Sequence, residues 1–185
     1  TGVATILNDD PLPVPEMDVY GNGNPINDNA TMVATNNNTD FGTVCIGGNP
    51  VVKSFSIQNT GAVDLILDGM PKVSLTGHTA DFNVSLQPVS MVAGMSSAMF
   101  EITFAPTTSG TRSVTVSIEN NDSNEDPYNF VVQGVANPAE SAAFDYANNA
   151  YCQTSLDPTP IIYGNSGGMF SAPAGLSIHA TTGII

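Results

Sequence analysis

The residues of this chain with the clearest capacity for chemistry are oxygen donors, grouped in three short stretches. They lie at residues 8–10 (NDD), 59–64 (NTGAVD) and 119–127 (ENNDSNEDP). Carboxylates, Asn side chains and backbone carbonyls are the ligands that Ca²⁺ takes in proteins. Two interpretations stay open here, because Asn, Asp and Gly also favour solvated turns and no stretch has the EF-hand spacing.

Catalytic chemistry has no comparable support in the sequence. The only histidines are His78 and His179, which fall in different predicted modules, and neither adjoins a candidate nucleophile in a recognisable motif. General acid–base and nucleophilic mechanisms need such groups close together. We therefore predict that the chain is not an enzyme and that it has no catalytic residues.

The two cysteines, Cys45 and Cys152, do not form a metal-binding pattern. The sequence contains no CxxC and no Cys/His cluster, which argues against a zinc site. Within the stretch FGTVCIGG, strand alternation predicts that Cys45 points into the core as a small apolar residue. The alternative is a disulfide between the two cysteines in an oxidising compartment.

The charge balance of the chain limits its partners. It contains 17 Asp and Glu against 3 Lys and Arg, for a formal net charge of −14. Phosphate binding needs clustered basic side chains, so we expect no nucleic-acid partner. No apolar run approaches the roughly 18 residues of a spanning helix, so we expect no membrane insertion. Because the sequence starts at Thr1 without a signal peptide, we interpret it as part of a longer polypeptide.

The elements that must position these residues are predicted to be short antiparallel strands. Apolar and polar residues alternate along residues 51–59, 100–104, 111–120 and 128–136. Period-two alternation with one polar face is typical of an antiparallel sandwich, and helical periodicity is nearly absent. The predicted fold class is all-β, an Ig-like antiparallel β-sandwich flanked by partial β modules.

Shifts in composition divide the chain into four predicted parts. Residues 1–10 are predicted to be the last strand of a preceding β module, and residues 11–15 (PLPVP) a stiff Pro-rich linker. Residues 16–137 contain seven or eight predicted strands, which is enough for a complete sandwich. Residues 138–185 are predicted to be an incomplete second β module, too short to be a robust sandwich alone.

Two motifs carry a family resemblance. Residues 41–61 contain F-G-x-V followed by F-x-I-x-N-T-G, and residues 104–118 contain F-x-P-x-x-x-G-x-R followed by V-x-I. They resemble the choice-of-anchor D type repeat, a bacterial Ig-like module related to the ASH and major-sperm-protein domains, over about residues 16–137. Residues 1–10 are similar to the closing strand of a Calx-β repeat, and residues 151–185 to the start of a repeat from Bacteroidetes-type surface adhesins. The resemblance implies an extended stalk or adhesin that is secreted or displayed at the cell surface.

An Ig-like topology would bring the three oxygen-rich stretches to one end of the sandwich. The loop before the last strand holds Asp122 and Asp126, and the loop after the second strand holds Asp64. The incoming linker follows Asp9 and Asp10. We therefore expect calcium as a cofactor at these five residues, where it would offset their repulsion and stiffen the joint between modules. Solvated turns stay the alternative.

The leading functional hypothesis is a non-catalytic stalk repeat, a structural segment of an extracellular multidomain adhesin or surface filament. Its expected partners are neighbouring modules of the same or another chain, with strand donation left open, and cell-surface glycans or proteins. The alternative is a carbohydrate-binding or accessory module of a large secreted hydrolase, which would need an exposed aromatic platform. Trp is absent, and the five tyrosines do not cluster in sequence: Tyr20, Tyr128, Tyr146, Tyr151 and Tyr163.

Overall fold

The chain divides into two compact units, Thr1–Pro138 and Ala139–Ile185. The structure, a computed structural model, describes residues 13–139, 141–148, 156–165, 167–174 and 176–185. All regular elements in these residues are β-strands. Within the same residues no helix has the length and apolar character needed to cross a membrane.

The described part of the first unit contains eleven strands, three of which have only two or three residues. Their bounds are β1 Met17–Gly21, β2 Asn24–Ile26, β3 Asp40–Cys45, β4 Val51–Asn59, β5 Leu65–Ile66, β6 Ser74–Gly77, β7 Phe82–Leu86, β8 Met91–Val92, β9 Ser96–Phe104, β10 Gly110–Ile118 and β11 Tyr128–Asn137.

Two sheets form the sandwich. The five-stranded sheet has the order β2-β1-β4-β9-β7, and the four-stranded sheet has the order β3-β11-β10-β6. The short strands β5 and β8 pair with each other beside them. Every pairing is antiparallel except that of β3 with β11, which is parallel. The predicted all-β, Ig-like sandwich is therefore confirmed.

The core lies between the inner faces of the two sheets and follows the alternation of the sequence. Along β4, Phe55 and Ile57 are fully buried, while Ser56 between them faces outward. The Phe55 ring stacks on the Phe100 ring with centroids 5.2 Å apart, and the Phe82 ring stacks on the Phe104 ring at 4.5 Å. Each such side chain contributes about 1.5–3 kcal/mol through removal of apolar surface from water.

The prediction that Cys45 points into the core is wrong, because β3 does not alternate strictly. Its buried residues are Phe41 and Val44, which are three positions apart, and Cys45 is exposed. Gly42 between them has a φ of 72°, a left-handed conformation that glycine adopts without strain. The pairing of β3 with β11 shifts register at this point. This bulge moves the residues that follow it to the other face of the strand. Cys152 lies outside the described residues. The alternative of a disulfide between the two cysteines therefore stays a prediction.

The chain enters and leaves the sandwich at opposite ends. The Met17 amide at the start of β1 donates to a carboxylate oxygen of Asp122, in the loop that precedes β11. At the other end of β11, the Asn137 carbonyl accepts from Ile46 N, just after β3. We call these two ends the entry pole and the exit pole. They are separated by the ten residues of β11, a distance of roughly 30 Å at the rise of a β-strand.

The second unit has little regular structure in its described part. Two short strands, β12 (Phe144–Asp145) and β13 (Ile161–Ile162), pair antiparallel. The Phe144 ring meets the Phe170 ring edge-on at 5.1 Å, and the Tyr146 hydroxyl donates to the Gly183 carbonyl at 2.6 Å. The predicted strand at residues 1–10 lies outside the described residues, and that part of the domain prediction stays a prediction.

Candidate functional site

The candidate site is the entry pole, where residues 119–127 form an acidic loop between β10 and β11. Asn120 organises this loop, although only 2% of its surface is exposed. Its side-chain amide donates to the carbonyls of Ile118 and Glu125, and its side-chain oxygen accepts from Asp122 N at 2.8 Å. These bonds satisfy a buried amide and give the loop one defined conformation.

Asp122 connects the acidic loop to the point of chain entry. Its carboxylate is 2% exposed and accepts from Met17 N at 2.8 Å, across 105 positions of sequence. A hydrogen bond from a backbone amide to a charged carboxylate is stronger than one between neutral groups. Asn59 supports the same junction, because its side-chain oxygen accepts from Glu16 N at 3.2 Å. The entry of the chain is therefore fixed by two buried side chains.

Three carboxylates converge at this pole. Oxygen atoms of Glu16, Asp122 and Glu125 all lie within 4.8 Å of one another. One Glu125 oxygen, Oε2, is buried and has no hydrogen-bond partner. Burial, together with repulsion from Asp122 and Glu16, raises the pKa of Glu125 to about 7. Glu125 is therefore placed to take up a proton near neutral pH, and the oxygens of the three residues are of the type that binds hard cations.

The other predicted calcium ligands lie near this cluster or outside the described residues. Asp64 is exposed, and its carbonyl accepts from the Asn121 amide at 3.3 Å, so the loop after β4 does reach the acidic loop. Asp126 is exposed and accepts from Asn120 N at 3.0 Å. Neither carboxylate belongs to the three-residue cluster. Asp9 and Asp10 lie outside the described residues, and calcium binding stays a prediction.

Sequence reasoning missed two of the clustered carboxylates. Glu125 lies within the acidic stretch, and Glu16 directly follows the PLPVP linker. Nothing in the sequence distinguishes Glu125, which is partly buried, from the exposed Asn124 and Asp126 on either side of it. The signal that could have found Glu16 is its position at chain entry, since the linker must pass beside the loop that precedes the last strand.

A second buried carboxylate lies toward the exit pole, at the start of β7. Asp81 is 5% exposed and accepts from the amide and hydroxyl of Thr107 at 2.7 and 2.9 Å. Its other oxygen lies 3.2 Å from Arg112 Nε, the one ion pair among the described residues. Burial alone would raise the pKa of Asp81, but the bonds from Thr107 and the charge of Arg112 hold it below its usual value.

Comparison with known proteins assigns the sandwich to a family. The model of the HYDIN/CFA65/VesB-like Ig-like domain matches residues 30–135, which is more than half of the chain. The chain therefore belongs to this family of Ig-like domains. None of the curated proteins matches it.

Solved structures to which the chain is similar in part include three from different sources. A protein of unknown function from Porphyromonas gingivalis W83 has a TM-score of 0.47 and 17% identity, over 65% of this chain and 46% of its own. The ASH/PapD-like domain 7 of human CEP192 has a TM-score of 0.47 and 16% identity, over 76% of this chain and 99% of its own. The VesB protease of Vibrio cholerae has a TM-score of 0.39 and 16% identity, over 53% of this chain and 29% of its own.

Proposed function

We propose that this chain is a structural, non-catalytic segment of an extracellular multidomain adhesin or surface filament. The observation that supports the proposal best is the position of chain entry and exit at opposite poles of the sandwich. Modules that enter and leave at opposite ends add length when they are joined in series. A module with both connections at one end would fold back on its neighbour instead.

The strand arrangement suits a segment under tension. A pull between the two poles acts along β1 at the entry pole and along β11 at the exit pole. β1 pairs along its length with β4, and β11 pairs along nearly all of its length with β10. The second half of β11, from Gln133 to Asn137, also pairs with β3. Ladder hydrogen bonds lie across the strands, so a pull along the strand loads many bonds together rather than one after another.

The finer identity is part of the same proposal. The family to which the chain belongs consists of Ig-like domains. Within this class, the motifs in β3, β4, β9 and β10 favour the choice-of-anchor D type repeat, which is a bacterial module. Under this proposal residues 1–10 end a Calx-β-like module and residues 138–185 begin an adhesin repeat. The expected partners are the neighbouring modules and, at the tip of the protein, cell-surface glycans or proteins.

Single-molecule force spectroscopy on the full chain tests the proposal. With handles at the two termini, we expect one dominant rupture that releases roughly 400 Å of chain, the extended length of the sandwich less its folded length. Moving one handle from the C-terminus to Ser123, in the acidic loop, places both attachments near the entry pole and peels the strands singly. We expect a clearly lower rupture force in that geometry. Equal forces in the two geometries would contradict a load-bearing role.

The extracellular location of the protein is tested by an experiment that does not depend on the force measurements. Antibodies raised against the chain should label intact producing cells or their surface filaments. Labelling that requires permeabilised cells would contradict the extracellular part of the proposal, whatever the force measurements give.

A further inference from the structure

The outer face of the five-stranded sheet carries a row of side chains that the stalk function does not use. Tyr20 on β1 lies directly opposite Ser56 on β4, which lies opposite Met99 on β9. The residues before and after Tyr20 are buried in the core, so Tyr20 itself faces outward. The neighbouring row pairs Asp18 with Gln58 in the same way.

These residues line a shallow depression of about 330 Å³. Its floor is the outer surface of β4, and Tyr20, Met99 and the turn at Asn22–Gly23 stand around it. This volume falls at the lower end of the range for small-molecule sites, with room for a mono- or disaccharide unit. The depression lies on one sheet of the first unit.

One wall of the depression is fixed by a loop. The Asn38 side chain donates to the Ser54 carbonyl at 3.0 Å, and the Asn24 side chain donates to the Asn36 carbonyl at 2.8 Å. Gly21 allows this arrangement, since a Cβ at that position would collide with the Asn37 carbonyl. The wall is therefore held in place before any ligand binds, which lowers the entropic cost of binding.

Several polar groups at the depression have no internal partner. Among the described residues, no side-chain hydrogen bond engages the Tyr20 hydroxyl, the Ser56 hydroxyl or the Gln58 amide. A hydroxyl or a carboxamide can both donate and accept, as the hydroxyls of a sugar do. The Tyr20 ring and the Met99 side chain offer apolar surface beside them, which suits the C–H face of a sugar ring.

The charge of the site selects among ligands of this kind. No Lys, Arg, Asp or Glu lines the depression. The carboxylates nearest along the strands are Asp18 and Glu101, in the adjoining rows, and Glu101 already accepts from the Ser54 hydroxyl. An anionic ligand would find no cation here and would be repelled by a chain of net charge −14.

We propose that the depression formed by Tyr20, Ser56, Gln58, Asn38 and Met99 binds a neutral glycan. A site this shallow gives weak binding, with a dissociation constant of about 1 mM for one sugar unit. Repetition of the module along a stalk would raise the overall affinity by avidity. The site extends the proposed function, because a module that carries it would contact glycans along its length and not only at a tip.

Nuclear magnetic resonance titration of the ¹⁵N-labelled full chain tests this inference. The probes are soluble trisaccharides of glucose, mannose, galactose and N-acetylglucosamine, with trigalacturonate as the anionic counterpart. At least one neutral sugar should shift the backbone amides of Tyr20, Ser56 and Gln58, and trigalacturonate should not. The inference is overturned if no neutral sugar shifts these amides, or if trigalacturonate shifts them equally.

Two variants and a matched control locate the binding. Tyr20→Ala removes the ring, and Ser56→Ile fills the depression at a position where a β-branched residue suits the strand. Each should weaken binding at least tenfold. The control is Ser117→Ile, the same change at a partly exposed position on β10 in the other sheet, which should leave binding unchanged.

Ser56→Ile keeps Tyr20 in place, so it decides the question even where Tyr20→Ala does not fold. Full binding by folded Ser56→Ile would overturn the proposed position of the site. The same amides shifting with protein concentration in the absence of sugar would identify a second copy of the chain as the occupant, and would also overturn the proposal.

Discussion

Each pole of the sandwich contains a buried carboxylate, and the charged neighbours of these two carboxylates have opposite signs. Asp122 at the entry pole is 2% exposed, and Asp81 toward the exit pole is 5% exposed. Asp81 has Arg112 and Thr107 as partners, and its pKa is lowered. At the entry pole the neighbours of Asp122 are two further carboxylates, and the pKa of Glu125 is raised to about 7.

Burial raises the pKa of both Asp81 and Glu125, and the contrast shows that hydrogen bonds and a cation reverse this effect at Asp81, whereas carboxylate neighbours add to it at Glu125. At the exit pole, the positive charge of Arg112 neutralises the Asp81 carboxylate. The stability of this pole therefore depends little on protons or cations from the solution. At the entry pole, no ion pair engages Glu16, Asp122 or Glu125 among the residues that the structure describes. Proton uptake by Glu125 relieves the repulsion among these carboxylates, at the same pole where Asp122 and Asn59 hold the entering chain.

Removing Arg112 should make the exit pole resemble the entry pole, and this is the largest effect that we expect. Arg112→Ala leaves a buried Asp81 without its cation, which should cost about 2–3 kcal/mol of unfolding free energy. Urea denaturation at pH 7 measures it. Arg112→Lys is the control and should recover part of the loss, since it keeps the charge. A loss below about 0.5 kcal/mol, the usual size for a surface position, would show that Asp81 does not need its arginine.

Removing Asp122 should loosen chain entry by a smaller amount. Asp122→Ala leaves the Met17 amide without an acceptor, which should cost about 1–2 kcal/mol after the relief of repulsion among the carboxylates is subtracted. Asp122→Asn keeps an acceptor oxygen and removes the charge, so it should be distinctly more stable than Asp122→Ala in urea denaturation. Equal stability of the two variants would mean that the bond to Met17 contributes nothing.

Calcium should stabilise the entry pole if the sequence-based prediction of a calcium site is right. At a free concentration about ten times the dissociation constant, binding to the folded state alone would add about 1.4 kcal/mol. Thermal unfolding at pH 7.5 with Ca²⁺ or with EGTA measures the gain, and Asp122→Asn should reduce it. Identical midpoints under both conditions would refute the calcium prediction and leave the carboxylate cluster as a purely proton-binding site.

Neutralising Glu125 should have the smallest effect and a defined pH dependence. Because the folded-state pKa of Glu125 is raised, its stabilising contribution is complete below about pH 4.5 and is lost as the pH rises through about 7. Water reaches part of this side chain and screens the repulsion, so Glu125→Gln should gain about 1 kcal/mol at pH 8.5. It should gain nothing at pH 4.5. Thermal unfolding at both pH values measures the difference, and a gain independent of pH would point to a cause other than charge.

Much of the sandwich could be predicted because its long strands are half buried. In β4, β9, β10 and β11 the apolar residues recur at every second position, and the structure buries those residues. The period of a strand is a local property, so the sequence contains it. The side that Cys45 faces could not be predicted in the same way. It depends on a bulge at Gly42 that arises where β3 meets β11, far along the chain.

The entry pole was only partly predictable for a related reason. Asp122 could be placed near chain entry by topology alone, because that argument needs only the order of the strands. The buried roles of Asn59 and Asn120 were missed, since an Asn in a turn-rich stretch looks the same in sequence whether it is solvated or not. Which carboxylates meet is set by side-chain directions in the folded loop, and turn composition does not encode those directions.

Because the entry and exit poles lie at opposite ends of β11, the two connections of this domain are a fixed distance apart. Under the proposed stalk function, each copy inserted in series would lengthen the protein by roughly 30 Å, the span of one ten-residue strand. Gene duplication or loss can therefore adjust how far such a protein reaches without any new fold having to be selected. The distance spanned then scales with the number of copies encoded.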